Sequence, residues 1–382
     1  MNFTILQDLV IANLRASKVE GLRTKITLPL LYSKRDGHEL KKHVLESFYL
    51  FLKKHKIDEA EIKILQFNAM RARIVFEYFD RKDNTELIIK WVGVDIIGGF
   101  NFVGSIKNEV DLHKNILSMI QSDFIPKYIN HGEDHIVVEK IIGKPLINYI
   151  YERDILSIRK AINILLGKLN LLYTKTVTGK LTALDFNQLV DRDVNYFQST
   201  RGGLKIDAIL VFLITPPNAQ NLYQFTIDSV CELFSNLDDD LSKHMTIRDL
   251  DEHNLIYNQN SDNIYAVDME DASYGHYVFD ISYLTARLLM GARPIDMYHE
   301  IIPIVDDWIT CNEKNNADSI IGIYRALMTK QLIISAMNPW LWLSKDTFHR
   351  EKNTSIYSRY RWLKDIWEII HLECNKTKGQ KQ

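Results

Sequence analysis

The spacing of apolar residues changes once along this chain, and that change limits the folds open to it. Between residues 62 and 142, β-branched and aromatic residues gather in short runs separated by polar turns, a pattern that predicts strands. After Gly143 and Pro145 the apolar residues recur mainly at helical spacing. The sequence therefore predicts a β-rich part followed by a mainly helical part, which is an α+β arrangement.

The same periodicities locate the individual elements. Strands are predicted at 62–67, 72–79, 87–92, 124–129 and 136–142, with helices at 38–54 and 107–120. Further helices are predicted at 155–173, 223–235, 279–290 and 319–337, interrupted by one strand pair, 254–257 with 264–267. We expect three regions: an N-terminal helical extension (1–60), a β-sheet lobe with one helix (61–142) and a helical lobe (143–382).

Composition narrows the classes of partner and compartment. The 382 residues are 46% hydrophobic and 25% charged, with a formal net charge of -2, so no global field favours nucleic acid or an anionic membrane. The three cysteines, Cys231, Cys311 and Cys374, form no disulfide framework. No secretory signal appears in residues 1–18, and the most apolar run, 208–215, is too short to span a bilayer. We expect a cytoplasmic protein without a membrane span.

Three polar residues carry the strongest chemical signal. Asn254 follows Asp249 by five residues, and Asp268 lies fourteen residues beyond Asn254. In phosphoryl transfer the first Asp orients the attacking hydroxyl, while an Asn and a second Asp hold magnesium at the triphosphate. Oxygen donors suit this hard ion, and one intervening strand pair can bring them together. Taken singly, Asp and Asn are also common turn residues, which is the competing interpretation.

The segments around these residues resemble a known superfamily. Residues 247–254 read Ile-Arg-Asp-Leu-Asp-Glu-His-Asn, and residues 267–272 read Val-Asp-Met-Glu-Asp-Ala. They are similar to the His-Gly-Asp-Leu-His-Pro-Gly-Asn and Ile-Asp-Phe-Glu-Asp-Ala segments of the aminoglycoside phosphotransferase and choline kinase superfamily. Ile247, Arg248 and the 251–253 segment depart from that pattern.

The resemblance implies a fold and a set of roles. The fold would be the bilobal protein-kinase-like fold, with an antiparallel β-sheet N-lobe and a mainly helical C-lobe. ATP and Mg2+ would be the cofactors, Asp249 the catalytic base, and Asn254 and Asp268 the metal ligands. Asp280, in the following segment, would be a structural residue at the start of a helix.

In the first lobe, Lys90 is a charge on an otherwise apolar strand. It resembles the kinase lysine that contacts the α- and β-phosphates, and Glu109, on the following predicted helix, is the expected partner of its ammonium group. The alternatives are an edge-strand charge that discourages aggregation for Lys90 and a solvated helix residue for Glu109.

The remaining nucleotide contacts are predicted with less specific signals. No glycine-rich phosphate loop is present, so side chains of Asn68 and Arg71, in the turn between the first two strands, are expected to contact phosphates. Residues 138–145 resemble the lobe-connecting hinge of the family, whose backbone at Glu139 and Ile141 would meet the adenine edge. A glycine-free loop weakens a protein-kinase interpretation.

The phosphate acceptor is expected to be a hydroxylated small molecule, and its identity stays open. A cationic acceptor would suit two groups of residues near the base or in the second lobe: acidic residues 238–240, Asp251, Glu252, Glu270 and Asp271, and tryptophans Trp308, Trp340, Trp342, Trp362 and Trp367. The better supported alternative is that the tryptophans are core residues and the acidic residues form solvated loops.

Other function classes are weighed against this one. The sequence has no zinc-ligand spacing, serine nucleophile elbow or dinucleotide glycine fingerprint. Ile247, Arg248 and the glycine-free loop leave open a nucleotide-binding regulatory protein without efficient chemistry. Protein phosphorylation is a third alternative, disfavoured by Met269 and Glu270 where protein kinases have Phe-Gly. The choice between ATP and GTP and the oligomeric state are left open.

Overall fold

The strand-forming residues of the first part build one five-stranded antiparallel sheet. Its strands stand in the order β1-β2-β3-β5-β4, and every neighbouring pair is antiparallel. The bounds are β1 Ile62–Asn68, β2 Arg73–Asp80, β3 Thr85–Val92, β4 Tyr128–His131 and β5 His135–Glu139. The tight β2–β3 and β4–β5 connections agree with the polar turns in the sequence.

The structure is a computed structural model. It describes residues 34–68, 72–81, 83–93, 103–114, 123–182, 215–237, 241–269, 271–291, 293–313, 315–337 and 356–379. The chain divides between Ile142 and Gly143 into two compact units, here called the N-terminal unit and the C-terminal unit. Each unit is described by itself below.

Helix α1 (Lys34–Lys54) covers one face of the sheet in the N-terminal unit. The helix buries a stripe at three- and four-residue spacing: Val44, Leu45, Phe48, Phe51 and Leu52. This stripe packs against alternate residues of β2 and β3, namely Ile74, Phe76, Ile89 and Trp91. Phe48 is fully buried, with its ring 5.2 Å from that of Phe76 and 5.3 Å from that of Trp91. The helix predicted over 38–54 therefore shares the core of the sheet.

Helix α2 (Val103–Leu112) packs on a second cluster of the same unit. Ile106 and Val110 contact Val92, Ile136 and Val138. Because side chains alternate along a strand, β3 turns Ile89 and Trp91 to the α1 side and Lys90 to the side of Val92 and α2. This alternation is what brings a charged residue of β3 to α2.

The C-terminal unit is mainly helical, as predicted, with two small antiparallel sheets. Its described helices are α3 Leu146–Glu152, α4 Ile155–Lys175, α5 Ala219–Ser235, α6 Tyr277–Leu289, α7 Pro294–Asn312, α8 Ala317–Met337 and α9 Ile356–Gly379. One sheet has the order β10-β9-β6 (Asn263–Ala266, Leu255–Asn258, Lys144–Pro145), and the other the order β11-β8-β7 (Ser273–Gly275, Ser242–Thr246, Gly179–Lys180).

The sequence prediction failed at several elements. A strand was predicted over 124–129, but the observed strand begins only at Tyr128. Phe124 and Ile125 are buried, yet they lie in a turn and bend. Helices α3, α7 and α9 and the β8–β11 pair were missed. Strand β8 reads Ser-Lys-His-Met-Thr, with little apolar alternation, so its pairing with a distant strand defines it.

Helix α8 is rich in apolar residues along its whole length. Among the described residues it alone is long and apolar enough to cross a membrane by length and composition. However, 78% of its most apolar window is buried inside the fold, where it packs against α5, α6 and α9. A core helix accounts for this composition.

Replacing Phe48 with alanine should destabilise the N-terminal unit by about 3–5 kcal/mol, because the ring fills the space between α1 and the sheet. Leu50→Ala is the matched control on the same helix, since Leu50 is 63% exposed, and it should change stability by less than about 0.5 kcal/mol. Urea unfolding of both variants measures the difference. Equal midpoints would show that α1 does not belong to the core.

Candidate active site

A buried carboxylate anchors the loop between β8 and β9. Asp280 lies in the first turn of α6 and is fully buried. Its Oδ2 accepts hydrogen bonds from the Ile247 amide at 2.8 Å and the Tyr173 hydroxyl at 2.9 Å, and its Oδ1 accepts one from the Arg248 amide at 2.8 Å. Arg248 takes a left-handed backbone conformation, with φ of 71°. The anchor therefore holds the loop in a conformation that a non-glycine residue rarely adopts.

Asp249, the predicted base, follows directly and is held at both carboxylate oxygens. The Tyr283 hydroxyl donates to its Oδ1 at 3.1 Å, and the Asn254 amide nitrogen donates to its Oδ2 at 3.2 Å. The same Asn254 nitrogen also donates to the Asp249 carbonyl at 3.0 Å. Since Nδ2 of Asn254 is turned to Asp249, its Oδ1 is the atom that could hold a cation.

Asp251 and Glu252 have structural roles in this loop. Oδ1 of Asp251 accepts the amides of His253 and Asn254, at 2.9 and 3.0 Å. Arg287 of α6 then bridges Asp251 at 2.9 Å and Glu252 at 3.1 Å. Both carboxylates are buried and paired, so the suggestion that they attract a cationic acceptor is not supported by their surroundings.

The β9–β10 hairpin returns the chain to Asn254. The Val267 amide donates to the Asn254 carbonyl at 2.8 Å, so Asp268, the next residue, lies beside Asn254. Asp268 is half-buried and has a left-handed backbone, with φ of 67°. The hairpin thus gathers the three residues that the spacing predicted: Asp249, Asn254 and Asp268.

Burial and the neighbouring carboxylates raise the pKa of Asp249. Burial raises the pKa of Asp249 to about 6, with further increases from the negative charges of Asp251 and Asp268. The positive charge of Arg287 and the hydrogen bond from Tyr283 oppose this rise in pKa. A divalent cation beside Asp268 would relieve the repulsion, and the donors available, an amide oxygen and carboxylates, are those that magnesium prefers. The residues present therefore fit that ion.

In the N-terminal unit, the structure brings Lys90 and Glu109 together. Lys90 Nζ lies 2.6 Å from Glu109 Oε1, and both side chains are buried. Burial, and secondly the charge of Lys90, lower the pKa of the neighbouring His113 to about 4. Oε2 of Glu109 is buried without a hydrogen-bond partner among the described residues. Lys90 is therefore not an exposed edge-strand charge, and Glu109 is not a solvated helix residue.

The other predicted nucleotide contacts are placed less completely. Asn68 ends β1 and pairs with Arg73 of β2. The side chain of Asn68 and the whole of Arg71 lie outside the described part of the chain. The Glu139 amide donates to the Lys127 carbonyl at 2.9 Å, so any adenine contact at Glu139 would use its carbonyl. Ile141 lies half-buried in the extended segment after β5.

Of the three described tryptophans of the C-terminal unit, two are core residues and Trp308 is half-buried. Trp362 is buried and donates to the Gly291 carbonyl at 2.9 Å, and Trp367 is buried beside it on α9. Trp308 meets the Tyr277 ring edge-on at 5.1 Å. Trp340 and Trp342 lie outside the described residues, as do Glu270 and residues 238–240. Trp362 and Trp367 follow the alternative in which the tryptophans build the core.

Tyr283 and Arg287 are site residues that the sequence prediction missed. They stand three and seven residues after Asp280, so all three polar side chains share one face of α6. A polar stripe at this spacing in a helix that is otherwise apolar is the signal that could have identified them.

Comparison with solved structures places the fold. The chain is similar to an ethanolamine kinase from Plasmodium vivax, with 12% identity, a TM-score of 0.51 and coverage of 87% of this chain and 88% of that one. An amicoumacin kinase (16% identity, 86% and 96% coverage, TM-score 0.49) and a choline kinase from Cryptosporidium parvum (13%, 86% and 93%, 0.48) are also similar. No protein-family model matches the sequence, and no curated protein matches it. The similarity to the ethanolamine kinase confirms the α+β, bilobal kinase-like fold.

Asp268→Asn should lower the pKa of Asp249 from about 6, because it removes one of the negative charges that raise it. The measurement is a pH titration of the Asp249 carboxyl carbon by NMR in metal-free protein. Asp262→Asn is the control: Asp262 lies in the same hairpin but is exposed and bonds to Lys160 and Tyr257. An unchanged titration of Asp249 in Asp268→Asn would place Asp268 away from the base.

Proposed function

We propose that this chain is an ATP-dependent phosphotransferase that moves the γ-phosphate of ATP to a hydroxyl group of a small molecule. The observation that carries the proposal is the gathering of Asp249, Asn254 and Asp268 around one anchored loop and hairpin. Phosphoryl transfer needs little covalent chemistry from a protein, and it does need a positioned acceptor hydroxyl and oxygen ligands for magnesium. The fold shared with an ethanolamine kinase favours a small-molecule acceptor.

In this proposal Asp249 orients the acceptor hydroxyl and takes its proton. With a pKa of about 6 the carboxyl is mostly ionised at pH 7, and its basicity lies closer to neutrality than that of an ordinary aspartate. Tyr283 and Asn254 fix the carboxylate by their hydrogen bonds to its two oxygens. Below about pH 6 the proton would block this role, so the rate should fall on the acidic side.

Asn254 and Asp268 would hold Mg2+, which when bound neutralises charge on the triphosphate. Lys90, positioned by Glu109, would contact the α- and β-phosphates. Asn68, Arg71 and the backbone of Glu139 and Ile141 complete the nucleotide contacts of the proposal. The proposed partners are thus ATP and a hydroxylated metabolite or antibiotic, in a cytoplasmic setting, without a nucleic-acid partner.

A regulatory protein without chemistry is the second candidate, motivated by Ile247 and Arg248. Ile247 is fully buried, and both residues donate their amides to Asp280. The loop is therefore anchored even though these positions depart from the superfamily pattern, which favours an active enzyme. A protein kinase is the third candidate, and no further contact favours it.

Asp249→Asn should lower turnover by about 10²–10⁴-fold, because the amide cannot accept the hydroxyl proton. The binding of ATP with magnesium should stay within about twofold, since the neutral amide keeps the shape of the carboxylate. ADP release across a panel of amino alcohols, sugars, nucleosides and aminoglycosides measures turnover, and calorimetry measures nucleotide binding. Asp268→Asn should instead lose the magnesium dependence of nucleotide binding.

The control for both variants is Asp228→Asn, an exposed position on α5 that hydrogen-bonds only to Gln224 in the described contacts. Its turnover should equal that of the parent chain. Full turnover in Asp249→Asn would remove the assigned base. Nucleotide binding without turnover on any acceptor, in the parent chain, would favour the regulatory protein instead.

The Lys90–Glu109 pair is tested by a double-mutant cycle. Lys90→Ala and Glu109→Ala should each raise the KM for ATP at least tenfold, and the double variant should be no worse than the more damaging single change, because each residue acts through the pair. Lys63→Ala, at an exposed lysine of β1, is the control and should leave the KM unchanged. Additive effects would contradict the pairing role of Glu109.

A further inference from the structure

A second group of chemically active side chains lies in the N-terminal unit, apart from Lys90 and Glu109. His55 stands in the turn that ends α1, while Asp134 and His135 belong to the hairpin between β4 and β5. One potential ligand atom from each residue lies within 4.8 Å of the other two. Residues far apart in the sequence are thus brought together by the packing of α1 on the sheet.

We propose that His55, Asp134 and His135 bind one divalent transition-metal ion, with zinc as the best fit. Two imidazoles and one carboxylate form a donor set that suits zinc and disfavours magnesium, which prefers oxygen ligands alone. In a tetrahedral zinc site with bonds of about 2.0–2.2 Å, neighbouring ligand atoms stand about 3.4 Å apart. A shift of the exposed His55 side chain would bring the three ligand atoms to this spacing.

The carboxylate is held as metal-bound carboxylates usually are, by outer donors. The Trp91 indole N–H donates to Oδ2 of Asp134 at 3.3 Å, and the Asp134 carbonyl accepts the Val92 amide at 2.9 Å. Such outer partners orient a ligand and tune its affinity for the metal. Oδ1 of Asp134 lies 2.8 Å from Nδ1 of His135, a hydrogen bond that keeps the two side chains adjacent and that metal binding through the same atoms would replace.

The hairpin also leaves room for the His135 ring. A Cβ atom at Gly132 would lie 2.4 Å from Cε1 and 2.7 Å from Nδ1 of that ring, so any larger residue would displace the imidazole. On the other side, the Phe51 ring meets the His135 ring edge-on at 5.1 Å, and the His55 ring does so at 4.8 Å. His135 is therefore held by packing, and the exposed His55 ring also contacts the Phe51 ring, at 4.6 Å between centroids.

The ion would join the end of α1 to the edge of the sheet. Helix α1 supplies Phe48 and Phe51 to the core of the unit, and beyond its end the chain passes through a 3-10 turn at Glu59–Glu61 into β1. A metal held by both the helix end and the β4–β5 hairpin would stabilise this packing, because it binds the folded unit and not the unfolded chain. The proposed site is separate from the oxygen ligands proposed for magnesium, and water would take the fourth position that its three protein ligands leave open.

The test uses the full chain after removal of metals with a chelator. Calorimetric titration with Zn2+ should show one site per chain, and Co2+ should give the visible absorption of a tetrahedral complex. His55→Ala and Asp134→Asn should each weaken Zn2+ binding at least tenfold and abolish the zinc-dependent rise in the thermal unfolding midpoint. His55 is exposed, so its substitution keeps the core intact.

Three further variants make the outcome decisive. His43→Ala, an exposed histidine of the same helix, should bind Zn2+ as the parent chain does, and so should Asp268→Asn, whose site is the one proposed for magnesium. Trp91→Phe should weaken binding about tenfold through the lost indole donor. Zn2+ binding of unchanged affinity in His55→Ala, or no binding by the parent chain, would overturn the proposal.

Discussion

The candidate site depends on the buried carboxylate of Asp280. Two backbone amides and one phenol donate to it. A buried charge is tolerable only when it is hydrogen-bonded in this way, and its loss would leave several donors unsatisfied. The left-handed conformation of Arg248 persists because this anchor compensates for it. Because the backbone amides of Ile247 and Arg248 are bound to Asp280, the next residue, Asp249, is held in place as well.

Helix α6 extends this control along one face. After Asp280, Tyr283 binds Asp249, and Arg287 neutralises Asp251 and Glu252. The same helix therefore holds the loop, orients the proposed base and limits the negative charge around it. The raised pKa of Asp249 reflects the balance among burial, neighbouring carboxylates and Arg287. Because Arg287 pairs with Asp251 and Glu252, the carboxylates of Asp249 and Asp268 are the ones left for a divalent cation.

Strand β3 has the corresponding place in the N-terminal unit. Its alternation sends Lys90 to Glu109 on α2 and sends Trp91 to α1 and Asp134. The proposed phosphate contact and the proposed zinc site thus occupy opposite faces of one strand. The Lys90–Glu109 pair is buried, so water competes little for its hydrogen bond, which helps to keep its geometry fixed.

Local patterns in the sequence determined the α+β class, many of the strands and helices, and the spacing of Asp249, Asn254 and Asp268, since these follow from periodicity and from residue type over short distances. Lys90 and Glu109 were also predictable, from the resemblance of Lys90 to the kinase lysine and of Glu109 to its helical partner. Only the tertiary structure decided that Arg287 neutralises Asp251 and Glu252, that Tyr283 binds Asp249, that β8 is a strand, and that His55 meets Asp134 and His135. Each of these joins segments distant in sequence, and local spacing carries no information about which distant group satisfies a buried charge or an unpaired strand edge.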